Sequence, residues 1–311
     1  MTLDEIYRKG TEAMEAKGLS YNLKGVETEF VLRHNAEIFT RYMFRQKAIN
    51  SIEVTTRTRL LDVELQAPLI MSSMTTPIPQ IEADGLLKVA RALKGVGSMM
   101  SLGTPVPSNL KEIVEVGVPV IQTVKPFADR SIVMKMISQA EDAGVTWVGI
   151  EVDAGLGTRR VKGCSPMSAD ELKEIKQKVS RPLILKGILS AWDAEMALKI
   201  GADVIVASNH GGHTIDYLPH PIDVMDEIVG VIAGKIPIIM DGGFRRGTDV
   251  LKGLAFGAQA IGLGRPILLG LAADGEEGVK SVISQMAEEL RRVMIMTGVK
   301  DPASASKRIL L

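Results

Sequence analysis

Eight short apolar runs, rich in β-branched residues, recur along the chain at 67–73, 96–102, 119–124, 146–152, 182–187, 203–208, 236–241 and 259–264. Stretches with helical spacing separate them, near 80–93, 108–115, 129–143, 168–178, 190–199, 221–233 and 247–256, and a last one follows near 266–297. Apolar runs this short predict strands buried on both faces, and such strands belong to parallel sheets joined by right-handed helical crossovers. Eight units predict an α/β protein with a closed (β/α)8 barrel of the TIM type. The alternative, an open doubly wound sheet, normally carries a glycine-rich fingerprint after its first strand. Here that segment is Ser72-Ser-Met-Thr-Thr-Pro-Ile-Pro79, which has no glycine.

Two stretches precede the alternation, 3–17 and 27–45, with helix formers at apolar spacing (Leu3, Ile6, Met14; Phe30, Val31, Ile38, Met43). No linker or low-complexity segment is visible. The expectation is one domain over 1–311, with a helical N-terminal extension at 1–66 and the barrel at 67–311.

Charge and cysteine content exclude several classes. Lys plus Arg and Asp plus Glu both number 37, so no basic excess recruits nucleic acid or anionic lipid, and any anion site is local. Cys164 is the single cysteine, which leaves neither an internal disulfide nor a metal-ligand cluster. The N-terminus lacks a secretory apolar core and no run approaches the ~20 residues of a membrane span. A cytoplasmic protein without a metal, membrane or nucleic-acid partner is the expectation.

Barrel enzymes place their chemistry at the C-terminal ends of the strands. After the seventh run comes Asp241-Gly-Gly-Phe-Arg-Arg-Gly-Thr-Asp249, and after the eighth Gly262-Leu-Gly-Arg265. Glycines let backbone N–H groups approach an anion, and Arg245 and Arg265 can neutralise a phosphate. The bland alternative is structural glycines beside surface arginines. After the sixth run comes Ser208-Asn-His210-Gly-Gly-His213. A histidine at a strand end can serve as a general base, so His210 is the candidate base unless it is merely packed against backbone. The fifth run ends at Lys186, a costly residue in a barrel mouth unless it meets an anion or an electron-rich ligand. The fourth ends at Glu151-Val-Asp153, where alternation puts both acids on one side. Asp153 then either orients His210 or caps a turn.

Taken together, Leu185-Lys-Gly187, Ser208-Asn-His-Gly-Gly212, Asp241 to Asp249 and Gly264-Arg-Pro266 resemble the signatures of the FMN-dependent 2-hydroxy-acid oxidases and dehydrogenases. The likeness extends from about residue 20 to the C-terminus and includes Glu27 to Asn35. It implies FMN as cofactor and a proton-abstracting histidine at His210, held by Asp153. It further implies flavin-ring contacts from Lys186, Gln122, Ser101 and Ser208, a ribityl contact from Asp241, and a phosphate cradle of Gly243, Arg245, Gly264 and Arg265. Arg160 falls where the family's arginine after the fourth strand helps hold substrate.

Four positions depart from the family's pattern. His213 replaces the arginine that grips the substrate carboxylate, Val124 a tyrosine, Asn22 an N-terminal tyrosine, and Glu151 a threonine. Each lost charge-assisted hydrogen bond is worth ~1.5–3 kcal/mol, so several losses cripple recognition of a small hydroxy acid. The resemblance thus implies an atypical FMN oxidoreductase acting on a carbon that bears hydroxyl or amine. Its small-molecule substrate and its electron acceptor are unnamed, and relatives of this kind are often homotetramers. The alternatives are a non-redox FMN-dependent isomerase and a flavin-binding barrel without hydroxy-acid activity.

Overall fold

The computed structural model describes residues 1–49 and 52–311; residues 50 and 51 of the 1–66 extension lie outside the described residues. Helix α1 (Leu3–Ala16) starts at a capping box, in which Thr2 accepts from the Glu5 N–H and Glu5 accepts from the Thr2 N–H. Its buried stripe of Leu3, Ile6, Gly10 and Met14 faces the barrel's last helix. Gly10 is obligatory there, because a Cβ would lie 2.2 Å from the Leu269 carbonyl oxygen. Helix α2 (Phe30–Glu37) follows, and Asp216 accepts from the N–H groups of Thr28, Phe30 and Val31 at its start.

The extension is not wholly helical. Strands β1 (Thr58–Leu60) and β2 (Val63–Leu65) form an antiparallel hairpin. Leu60, Val63 and Leu65 pack with Ile70, Met99, Ile121, Trp147 and Ile184, the residues that fill the barrel axis. The Trp147 indole donates to Asp62 in the hairpin turn at 3.1 Å. The hairpin therefore plugs the end of the barrel away from the strand C-termini.

The barrel runs in sequence order: β3 (Leu69–Met71), α3 (Pro77–Ile81), α4 (Gly85–Gly95), β4 (Met100–Leu102), α5 (Leu110–Glu115), β5 (Val120–Val124), α6 (Arg130–Asp142), β6 (Trp147–Glu151), α7 (Ala169–Lys178), β7 (Leu183–Ile188), α8 (Ala191–Ile200), β8 (Val204–Ala207), α9 (Pro221–Ile232), β9 (Ile238–Asp241), α10 (Gly247–Ala255), β10 (Ala260–Leu263) and α11 (Arg265–Thr297). The parallel sheet pairs β3-β10-β9-β8-β7-β6-β5-β4, and the Met71 N–H donates to Met99 O across the remaining seam at 3.0 Å. Alternation divides each strand. Ile121, Trp147, Ile184, Val204 and Ile239 point to the axis, whereas Val120, Val148, Leu183, Ile205 and Ile238 meet the helices. The same parity carries Ser72, Ser101, Thr123, Lys186 and Asp241 inward one layer nearer the mouth, and Glu151 two layers beyond Trp147.

Candidate active site

A cavity of about 250 Å³ opens at the C-terminal ends of the strands, with Lys125, Glu151, Lys186, His210, Arg245 and Arg265 in its wall. A smaller cavity beneath it reaches the axis between Ile70, Ile121, Ile184 and Ile239.

His210 follows β8 in a left-handed conformation (φ 55°), one of few non-glycine residues to adopt it. Its loop is held from both sides. Ser208 Oγ accepts the His210 N–H, and Asn209 exchanges two side-chain hydrogen bonds with Asn35 of α2, at 2.7 and 3.1 Å. The extension thus fixes the histidine loop directly. The ring lies between two carboxylates. Nδ1 is 3.1 Å from Asp153 Oδ2, and Nε2 is 3.4 Å from Glu151 Oε2 without hydrogen-bond geometry. Lys186 Nζ stands 3.3 Å from Nδ1 and 3.9 Å from Glu151 Oε2.

The charges decide the protonation states. Burial pushes the Asp153 carboxyl up, but the His210 and Lys186 charges and the His210 hydrogen bond outweigh it, so it titrates below the ordinary range. Burial likewise opposes ionisation of Glu151, and Lys186, His210, Lys125 and the Thr123 hydroxyl outweigh it there. Lys186 is raised: Asp241, Glu151 and Asp153 together overcome its desolvation. An ionised Asp153 requires a donor, so Nδ1 carries a proton, and in the neutral tautomer of the ring the lone pair lies on Nε2.

Opposite this cluster lie the two arginines. Arg245 is half-buried in this wall, and among the described residues its only side-chain bond is to the Phe244 carbonyl, at 3.0 Å. Arg265 donates to the Lys24 and Gly211 carbonyls, while its Nε is buried without a partner. Burial, then repulsion from Arg245 and Arg159, pushes Arg265 down to about 9. Two neighbouring, mutually repelling guanidinium groups with free N–H donors fit a dianion such as a phosphate. Gly243 and Gly264 line the same wall, Asp241 Oδ1 has no partner, and neither has Ser72 Oγ beside it. Phosphate, hydroxyls and a polar ring fit this donor and acceptor set, which is the chemistry of FMN.

His213 also lines the cavity, with Nε2 3.0 Å from Lys24 O and 3.1 Å from Arg265. Burial first, then the Arg265 and Arg159 charges, push its pKa down to about 2. Both effects favour the neutral ring. Asn22 lines the mouth and its amide donates to Leu19 O.

Several expected site residues lie elsewhere. Gln122 is fully buried outside the axis and its amide donates to the Gly103 and Thr123 carbonyls. Val124 has the same parity and packs among the helices, away from the cavity. Axis-facing places on β5 belong to Ile121 and Thr123, and Lys125, next in that alternation, reaches the cavity. Arg160 is exposed and lines no part of the cavity, whereas its neighbour Arg159 does, bonded to the Tyr21 and Lys24 carbonyls. Ser208 is turned onto the His210 backbone rather than into the cavity. Ser101 faces the axis but bonds Ser73 at 2.8 Å and lines the lower cavity only. His220 caps α9 and is wholly buried, its Nε2 2.7 Å from the Gly242 carbonyl behind the arginine loop.

Comparison with known proteins follows the same geometry. A model of the FMN-dependent dehydrogenase family matches residues 11–165 and 161–311. Glycolate oxidase of Spinacia oleracea is 30% identical over 92% of this chain and 89% of its own. Glycolate oxidase 3 of Arabidopsis thaliana is 29% identical with the same coverage. The crystal structure of mandelate oxidase with (S)-2-phenylpropionate superposes over 100% of this chain and 97% of its own, with TM-score 0.92 and 28% identity.

Proposed function

The chain belongs to the FMN-dependent dehydrogenase family, and from that membership we propose that it oxidises a carbon bearing a hydroxyl or amine, with His210 as proton acceptor and a substrate other than a simple small 2-hydroxy acid. It is an FMN-binding oxidoreductase of the 2-hydroxy-acid oxidase and dehydrogenase type. When bound, FMN supplies the two-electron acceptor of the reaction. Arg245 and Arg265, with the backbone at Gly243 and Gly264, hold its phosphate. Asp241 takes up ribityl hydroxyls, and Lys186 places positive charge against the ring.

One observation carries the role of His210: Asp153 stands 3.1 Å from Nδ1, and the ring lines the cavity with Nε2 beside Glu151. Nδ1–H donation fixes the tautomer that leaves Nε2 basic, and the ionised Asp153 stabilises the imidazolium formed when a substrate proton arrives. The departure from small hydroxy acids rests on His213, which is neutral and already engaged. It supplies no charge to a substrate carboxylate, and Glu151 adds a negative charge beside the reacting position.

An anaerobic panel tests this reading. The FMN-loaded protein is mixed with lactate, glycolate, larger alcohols, hydroxy-acid esters and amines, and flavin absorbance is followed. Slow bleaching by lactate and glycolate, with faster bleaching by another class, is expected. Rapid reduction by either small acid contradicts the proposed substrate exclusion.

A further inference from the structure

We propose that the group oxidised is an amine and that Glu151 selects it, so that the substrate is an amino compound carrying an anionic group, an amino acid by chemical class. This presupposes the FMN-dependent oxidation proposed above and names its substrate.

The inference comes from counting donors. His210 Nε2 and Glu151 Oε2 lie side by side, 3.4 Å apart, with no hydrogen bond between them. With its proton on Nδ1, where Asp153 accepts it and Lys186 stands nearby, the neutral ring offers Nε2 as an acceptor, and Glu151 Oε2 is a second acceptor beside it. Nδ1–H of His210 is committed to Asp153, and Glu151 Oε1 accepts the Thr123 hydroxyl at 2.6 Å. Glu151 Oε2 has Lys186 no nearer than 3.9 Å. The reacting group of the substrate therefore meets two acceptors at once. A hydroxyl has one proton and satisfies one of them. An ammonium has three and satisfies both, donating to Oε2 while another N–H points at Nε2. An ammonium also forms an ion pair with Glu151, which a neutral hydroxyl cannot do.

The anionic end has partners on the same wall. Among the described residues Lys125 Nζ makes no hydrogen bond or ion pair. Arg159 is bonded through one terminal nitrogen to two backbone carbonyls, which leaves its other N–H groups for a ligand. In the reaction, an ammonium-bearing C–H centre loses one proton from nitrogen to His210 Nε2 and a hydride from carbon to FMN, leaving an iminium that water hydrolyses to a carbonyl compound and ammonium.

Two unreactive analogues test the selection without turnover. 2-Aminoisobutyrate and 2-hydroxyisobutyrate share a skeleton and lack the hydrogen that would be removed. Each is titrated calorimetrically into FMN-loaded protein, wild type and Glu151→Gln. The expectation is ~10-fold or stronger preference for the amine in the wild type, in line with a charge-assisted contact. Glu151→Gln should erase that preference while keeping the flavin spectrum. Tighter binding of the hydroxy analogue, binding of neither, or an unchanged ratio in Glu151→Gln overturns the proposal. Failure of the protein to retain FMN would instead overturn the oxidation reading on which it stands.

Discussion

Asp153 Oδ2 lies 3.1 Å from Nδ1 of His210, and it reaches that position because β6 ends at Glu151 with the acid two residues on, continuing the same inward parity. The bond sets the tautomer of the ring. Asp153→Asn keeps the shape but offers an amide that can donate to Nδ1 and stabilise the wrong tautomer. Single-turnover flavin reduction by the best substrate of the panel should fall by ~10²-fold or more, with FMN still bound. A rate within a few-fold of wild type would show that the acid is a turn cap.

Arg245 and Arg265 should dominate cofactor affinity. Replacing either by Met removes charge-assisted hydrogen bonds worth ~1.5–3 kcal/mol, so the FMN dissociation constant should rise by ~10- to 150-fold in a fluorescence-quenching titration. The FMN-free form of Arg265→Met should melt no lower than that of the wild type, because the guanidinium is already pushed down to about 9 by burial and by Arg245.

Acid should destabilise the fold before its carboxylates titrate. His213 and His220 are held neutral when folded, at about 2 and about 4, mainly by burial. In the unfolded chain both take a proton near pH ~6.5. The unfolded state thus binds more protons below that pH, and stability falls as pH drops from about 6.5 toward 4, by up to ~1.4 kcal/mol per pH unit for each histidine. Urea melts at pH 7.5, 6 and 5 should show the loss, and His213→Gln should flatten it.

Helix α11 is interrupted at Asp274 and Gly275, and its two parts meet at Gly270 and Gly278. A Cβ on Gly278 would lie 2.0 Å from the Gly270 carbonyl oxygen, with backbone on both sides. Gly278→Ala should therefore cost ~1–3 kcal/mol or more in chemical denaturation. A neutral result would mean that the two parts can separate.

Much of this was legible in the sequence, for physical reasons that differ by element. Seven of the eight barrel strands fall inside the apolar runs and β7 overruns its run by one residue, because a parallel strand buried on both faces has to be continuously hydrophobic. The acids and the lysine at the ends of β6 and β7 stand out because a charge among such residues is costly. That same two-faced hydrophobicity hides parity. In Val120-Ile-Gln-Thr-Val124 either face could be the axis, so Gln122 and Val124 read as site residues when Thr123 and Lys125 hold the inward positions. Ile121 beneath them, set against Pro119 and Val120, was the available signal, and it is weak. Arg159 and Arg160 are adjacent in a loop without periodicity, so nothing local says which one turns inward. The hairpin at Thr58–Leu65 is too short to announce itself, and only closure of the barrel floor explains its burial.

The most direct test is single-turnover reduction of bound FMN in His210→Ala, mixed anaerobically with whichever substrate bleaches the wild type fastest. The flavin spectrum should be unchanged before mixing, and the bleaching rate should drop by ~10²-fold or more. Bleaching at the wild-type rate would remove His210 from the chemistry and contradict the account.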